Sequence, residues 1–194
     1  MLGALVLFVM AMTVTPGPNN VIAIASGANF GVRRSLPFLG GVIAGFLPML
    51  GILCAGAGAL IVSSPNAMLA IKVAGTLYLL WLAWRIAVAR PDGSEEAKAS
   101  RPLGFVEATL IQGLNPKGWT MALVIVANYS GITPDPIAFA LVALMVCAIL
   151  MSAAILLWIW VGATVGRLGR HYIRPINLTM AALLVVSVAL SWAV

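Results

Sequence analysis

The chain has 194 residues, of which 62% are hydrophobic and only 8% are charged, and its mean hydropathy is +1.10. A water-soluble domain carries about a quarter of its residues as charged side chains, so this composition excludes an ordinary soluble domain and favours a chain solvated by lipid. The 11 basic residues give a net charge of +6 without forming a dense patch, which argues against nucleic-acid binding and is typical of loops beside a membrane.

Six apolar segments follow one another, each about long enough to cross ~30 Å of hydrocarbon at ~1.5 Å per residue. They cover residues 2–28, 36–62, 67–88, 105–127, 137–165 and 175–194. The longest polar stretch lies between the third and the fourth. We therefore predict an all-α membrane protein of about six transmembrane helices in one membrane domain. Its parts are a first three-helix repeat at 1–89, a cytoplasmic linker at 90–103 and a second three-helix repeat at 104–194.

The basic residues of the connections predict the orientation. The second and fourth connections hold no lysine or arginine. The first, third and fifth connections hold nine: Arg33, Arg34, Arg85, Arg90, Lys98, Arg101, Arg167, Arg170 and Arg174. Because positive loops stay in the cytoplasm, both termini are expected on the outer side of the membrane. Three spans per half is an odd number, so the second half is inserted upside down, which is the inverted repeat common in secondary transporters.

Each half opens with an apolar segment that a Pro/Asn motif interrupts. The first motif is Thr15, Pro16, Gly17, Pro18, Asn19 and Asn20, and the second contains Asn115, Pro116 and Lys117. About 13 and about 10 apolar residues precede them, or ~20 Å and ~15 Å of helix, so both lie within the bilayer. Unpaired backbone groups are not tolerated against lipid, so the interruptions of helices 1 and 4 should face protein or a wet cavity.

The two interruptions suit a ligand that carries a carboxylate. Asn115 followed by Pro116 is typical of an N-cap and a first helical position, and we expect Thr15 and Pro16 to play the same part in the first half. The N-terminus of such a half-helix presents free N–H groups and a partial positive charge, to which Lys117 adds a full charge. The alternative is that both interruptions are packing kinks, since proline is frequent in membrane helices.

Other polar side chains within the apolar segments are fewer. Asn19 and Asn20 offer donors and acceptors suited to an ammonium group or a polar side chain. Lys72, about two turns into the third segment, is either a binding residue or a side chain that snorkels to the outer interface. Glu107 lies near the cytoplasmic end of the fourth segment, and we favour a solvated interfacial acid there over a proton carrier.

Two pairs of glycines have the four-residue spacing that places small residues on one face of a helix. The pairs Gly41/Gly45 and Gly162/Gly166 allow close helix approach, either within the protein or at a homodimer face, and we favour internal packing.

The sequence contains no Walker A motif, no GxSxG, no HExxH and no Cys/His cluster. It therefore predicts no ATPase, no catalytic residue, no cofactor and no metal.

The first motif, at 15–20, resembles the signature of the LysE/RhtB family of bacterial amino-acid exporters. The resemblance covers nearly the whole chain and includes Gly31, Arg33, Gly40, Lys72, Gly75, Tyr78, Leu79, Phe105, Gly113, Leu114, Asn115, Pro116, Lys117 and Asn177. It implies a location in the bacterial inner membrane and export of an amino acid or a derivative from the cytoplasm, driven by an ion gradient. Proton antiport is the default coupling for such a protein.

One departure from the family pattern bears on the substrate. Phe46 and Leu47 follow Gly45, where many members carry an acidic residue, and this is similar to the cysteine/O-acetylserine exporter branch. Without this acidic residue the sequence supplies no carboxylate deep in a span, so lysine or arginine is disfavoured as the substrate. We predict a secondary exporter of small neutral amino acids or derivatives resembling cysteine, O-acetylserine, homoserine or threonine. Its partners would be this substrate, membrane lipid and a second copy in a homodimer. The alternatives are a membrane assembly subunit without transport activity, an intramembrane enzyme and a channel.

Overall fold

The structure is a computed structural model that describes residues 1–15, 17–57, 65–88 and 101–193. The helices are α1 (Leu2–Val14), α2 (Pro18–Ile52) continued by a π-helical turn (Leu53–Ala57), α3 (Pro65–Val88), α4 (Phe105–Gly113), α5 (Pro116–Tyr129) with a 3₁₀ turn (Ser130–Ile132), α6 (Pro136–Arg167) and α7 (Arg170–Ala193). Within these ranges no strand occurs, so the all-α prediction is confirmed. Pro16 and most of the predicted linker lie outside the described residues.

Three of the described helices are long and apolar enough to cross a membrane, judged by length and composition: Pro18–Gly56, Pro136–Arg167 and Tyr172–Ala189. Helix α1 is apolar but has only 13 residues. The fourth predicted segment is divided into helices of 9 and 14 residues. These helices are shorter than a membrane span because they end or begin at the predicted interruptions, where proline cannot continue a helix from the preceding turn. The six spans and their inverted repeat stay a prediction.

A single residue divides α2 into two arms. Gly31 has φ 76° and ψ 173°, a backbone conformation that glycine adopts at no steric cost and residues with a Cβ rarely adopt. Just beyond it, the Ser35 hydroxyl donates to the Gly31 carbonyl oxygen at 2.9 Å. The predicted first connection is thereby reduced to a kink. We call 18–30 the N-terminal arm of α2 and 32–52 its C-terminal arm.

Glycines bring the helices together until their backbones touch. An added Cβ at Gly162 of α6 would meet the carbonyl oxygen of Ile24 in the N-terminal arm, and Gly166 makes the same kind of contact one turn further along. In the C-terminal arm, Gly41 and Gly45 lie against α4 in the same way. Both small-residue pairs therefore pack inside the protein, as predicted, and not at a dimer surface.

Helix α6 shows how the chain is solvated. One stripe at four-residue spacing is at most 5% exposed and packs against the other helices: Phe139, Ala143, Cys147 and Met151. A second stripe is between 58% and 72% exposed: Ile137, Leu141, Met145 and Ile149. Because both faces are apolar, the outer stripe suits lipid and not water.

Candidate functional site

The first interruption separates α1 from α2. Helix α1 ends at Val14, and α2 begins at Pro18 with Gly17 as its N-cap in an extended conformation. The expectation that Thr15 and Pro16 would start the second half-helix is therefore wrong. Thr15 instead ends α1, and its hydroxyl donates to the Ala11 carbonyl oxygen one turn back. The start is set by the second proline of the motif, whose fixed φ suits the first helical position.

Asn20 holds the two sides of this interruption together. Its side-chain N–H₂ donates to the carbonyl oxygens of Thr13 and Thr15, at 2.8 and 2.9 Å. These carbonyls lie at the end of α1, where the helix itself supplies no donor. The buried amide of Asn20 thus substitutes for the missing helical hydrogen bonds across the interruption.

The second interruption has the predicted cap. Asn115 is the N-cap of α5, its side-chain oxygen accepts from the backbone N–H of Lys117 at 3.1 Å, and Pro116 occupies the first helical position. On the other side, the indole N–H of Trp119 donates to the Gly113 carbonyl oxygen at 2.8 Å, satisfying the end of α4. Each interruption therefore carries a side chain that bonds back to the helix before it.

The two interruptions meet and bond each other reciprocally. The ammonium of Lys117, after the second break, donates to the Thr15 carbonyl oxygen at 2.7 Å. A second hydrogen bond runs in the opposite direction: the amide N–H₂ of Asn19 donates to the side-chain oxygen of Gln112 at 2.8 Å. Asn19 follows the first break, and Gln112 precedes the second break. Two segments about a hundred residues apart in sequence are thus joined into one polar centre.

This centre lines a cleft that encloses about 420 Å³ of empty space, counting its open mouth. The polar side is formed by the two interruptions: Thr13, Gly17, Pro18, Asn19, Asn20, Gln112, Asn115, Lys117 and Gly118. The rest of the lining, here called the apolar wall, is rich in thioethers: Met12, Phe46, Met121, Met151 and Ile155.

The electrostatics of the cleft favour an anion. The N-termini of the N-terminal arm of α2 and of α5 both face it, and each carries a partial positive charge from its free N–H groups. Lys117 adds a full charge between them. No aspartate or glutamate is among the described lining residues. Glu107 lies away from the cleft, where it accepts from the Gly104 N–H at 2.8 Å and pairs with Arg101.

The structure brings most of the predicted site residues together. Those that line the cleft are Gly17, Pro18, Asn19, Asn20, Asn115 and Lys117. Thr15 contacts the centre through its carbonyl oxygen, and Pro116 supports it as the first residue of α5. Lys72 does not line the cleft, because its ammonium lies 4.8 Å from the centre of the Trp192 ring, between α3 and α7. Pro16 lies outside the described residues.

Sequence reasoning missed Gln112 and the apolar wall. Gln112 is 1% exposed and is the only glutamine of the chain, three residues before the capping Asn115. A lone amide within an apolar run, one turn before a helix break, is a signal that could have found it. The apolar wall gave no such signal, since methionine and phenylalanine are ordinary residues in a membrane helix.

Comparison with known proteins assigns the family. Residues 10–194 match the family described as LysE type translocator. The cysteine/O-acetylserine efflux proteins of Escherichia coli strain K12 and of Shigella flexneri are each 29% identical over 186 residues, which is 95% of this chain and 94% of the relative. No solved structure matches the chain significantly. The chain therefore belongs to the LysE-type translocators, membrane proteins that transport small molecules and are not enzymes.

Proposed function

We propose that the protein is a secondary transporter that exports small neutral amino acids or their derivatives from the cytoplasm, with cysteine, O-acetylserine, homoserine and threonine as the nearest chemistries. The substrate site is the cleft between the two helix breaks. The substrate carboxylate binds Lys117 and the N-terminal N–H groups of α5 and of the N-terminal arm of α2. The names of the similar efflux proteins support this substrate class.

One observation carries the proposal: two helix N-termini and one lysine share a cleft whose described lining contains no carboxylate. A carboxylate is favoured there by charge and by free N–H donors. A cationic side chain such as that of lysine or arginine would find no opposite charge to pair with, and burying it unpaired is unfavourable. The apolar wall of methionine, phenylalanine and isoleucine suits a small uncharged side chain.

The helix order supports an inverted repeat of six spans. In this arrangement α1 with the N-terminal arm of α2 forms the first broken span, and α4 with α5 forms the fourth. The reciprocal bonds of Lys117 and Asn19 have the form expected if two related halves face each other in opposite directions. Export would proceed by rocking one half against the other around the shared cleft, with both termini outside.

The test is efflux from proteoliposomes preloaded with labelled cysteine, O-acetylserine, serine, threonine, leucine or lysine, under imposed proton gradients. We expect saturable efflux of one or more neutral amino acids and little efflux of lysine. Lys117→Met keeps the length of the side chain and removes its charge, so efflux should fall about tenfold or more, since a hydrogen bond to a charged group contributes ~1.5–3 kcal/mol.

Two results would contradict the proposal. Normal efflux in Lys117→Met would show that the cleft does not bind the carboxylate. Absence of any solute flux in the folded wild type, under either gradient, would favour the alternative of a membrane assembly subunit. That alternative is not favoured now, because the family consists of translocators.

A further inference from the structure

Gln112 is the hub of the polar centre. Its side-chain oxygen accepts from the amide N–H₂ of Asn19 at 2.8 Å and from that of Asn115 at 3.3 Å, so one oxygen joins both interruptions. The backbone N–H of Lys117 sets the orientation of these amides. It requires the Asn115 oxygen, so the Asn115 N–H₂ faces the Gln112 oxygen, which then also accepts from Asn19. If Gln112 were turned over, its own N–H₂ would face two N–H₂ donors and neither bond could form.

The same orientation leaves two polar atoms without a partner. The Asn19 side-chain oxygen and the Gln112 side-chain nitrogen are both buried, and neither has a hydrogen-bond partner among the residues that the structure describes. Buried polar atoms are paired in the large majority of cases, so each such atom calls for an explanation. One of these two is an acceptor, the other is a donor, and both belong to residues that line the cleft.

The unpaired donor lies over the first turn of α5. An added Cβ at Gly118 would meet the Gln112 side-chain nitrogen directly, so that nitrogen packs against the helix start where Lys117 also stands. This is the part of the cleft that we assign to the substrate carboxylate. The Asn19 oxygen stands on the other break, at the start of the N-terminal arm of α2.

We propose that Asn19 and Gln112 form a clamp for the zwitterionic head of an α-amino acid. The Gln112 N–H₂ donates to the carboxylate, and the Asn19 oxygen accepts from the ammonium. The clamp rests on the proposed function and adds a selection rule to it: a substrate must carry both groups free. Carboxylates without an amine, and amino esters without a carboxylate, each leave one buried atom unpaired and bind weakly.

The experiment measures inhibition of labelled L-cysteine efflux from proteoliposomes under reducing conditions. The competitors are unlabelled L-cysteine, 3-mercaptopropionate, which lacks the amine, and cysteine methyl ester, which lacks the carboxylate. In the wild type we expect each analogue to need a concentration about tenfold higher or more for half inhibition, because a hydrogen bond to a charged group is lost.

The variants separate the two halves of the clamp. Asn19→Leu should lose the discrimination against 3-mercaptopropionate and keep that against the ester. Gln112→Met should lose the discrimination against the ester and keep that against 3-mercaptopropionate. The matched control is Asn29→Leu, which breaks another amide pair, with Asn177, outside the cleft. In Asn29→Leu the half-inhibition concentration of each analogue, relative to that of cysteine, should stay as in the wild type. A substitution that only disturbs the fold affects all three competitors alike.

A further variant covers the case in which these substitutions prevent folding. Gln112→Glu keeps an oxygen for Asn19 and Asn115 but replaces the N–H₂ by a second oxygen, which repels a carboxylate. It should be inhibited better by the ester than by cysteine. Unchanged ratios in all three variants, with efflux still dependent on Lys117, would overturn the clamp and leave the exporter intact. If the wild type exports another neutral amino acid and not cysteine, the same ratios are measured with that amino acid, its analogue without the amine and its methyl ester. Absence of efflux of every neutral amino acid tested would overturn both.

Discussion

The ammonium of Lys117 donates a hydrogen bond of 2.7 Å to the carbonyl oxygen of Thr15, 102 residues away in the sequence. Thr15 ends one helix, and Lys117 lies in the first turn of another. A carboxylate that binds the ammonium must compete with this carbonyl or share the ammonium with it. In the proposed exporter, substrate binding would thereby be linked to the contact between the two breaks, which is the contact that the proposed rocking motion has to change.

Gly17→Ala should lower export without unfolding the protein. The new Cβ would lie 2.9 Å from Cδ and 3.0 Å from Nζ of Lys117, so the end of the lysine side chain must shift away from Gly17. The φ of −164° at Gly17 accepts alanine, so the effect is steric and not conformational. We expect export to fall about tenfold, as for the loss of one charge-assisted bond. The control is Gly113→Ala at the other break, where an added Cβ meets nothing within 4 Å. Equal efflux in the two variants would refute the steric account.

Asn20→Leu should destabilise the protein. The substitution removes the donor that bridges the first break, and it leaves the Thr13 carbonyl oxygen unpaired, whereas the Thr15 oxygen still accepts from Lys117. A buried group left unpaired costs roughly 1–3 kcal/mol. Thermal unfolding in detergent, followed by tryptophan fluorescence, should show a lower midpoint than in Asn128→Leu, whose exposed amide donates to Val124 of its own helix. A midpoint no lower than that of the control would mean that Asn20 does not hold the break.

Gly162→Ala should separate α6 from the N-terminal arm of α2. The added methyl group collides with the backbone carbonyl of Ile24, which cannot turn aside as a side chain can. Overpacking of this kind costs typically ~1–3 kcal/mol. The loss is measured as a lower unfolding midpoint in detergent. Gly51→Ala is the matched control, because it also lies in a helix and an added Cβ there has open space. Equal midpoints would show that the backbones are not in contact.

Lys72→Met should retain export, which distinguishes it from Lys117→Met. Both are lysines within apolar segments, but the Lys72 ammonium lies over the Trp192 ring and not in the cleft. The substitution removes this cation–π contact, worth ~0.5–1 kcal/mol at an exposed site, and should change tryptophan fluorescence with little effect on efflux. Loss of cysteine efflux in folded Lys72→Met would return this residue to the substrate site.

The predicted orientation can be tested with single cysteines in a background that lacks Cys54 and Cys147. Thr133→Cys lies in the connection before α6, and Leu168→Cys lies in the connection after it. A membrane-impermeant maleimide added to intact cells should label the first and not the second. The reverse pattern would invert the topology, and labelling of both would contradict a membrane crossing by α6.

Local signals explain which features were predictable. The Asn115 and Pro116 cap follows from two adjacent residues and is confirmed. In the first motif two prolines compete, and the sequence favoured the earlier one, whereas the helix begins at Pro18. Gln112 could not be assigned to the site because its partner Asn19 is 93 residues away, and no local pattern reports such a contact.

The sequence by itself determined that lipid surrounds this chain, that two helices are interrupted, and that glycine pairs pack inside, because composition and short-range spacing decide these properties. Only the tertiary structure decided that the two interruptions share one cleft, that Lys117 bonds Thr15 while Lys72 stands apart, and that Gln112 joins both breaks. These are contacts between distant segments, and the packing of backbones at Gly162 and Gly166 helps to determine which residues can meet.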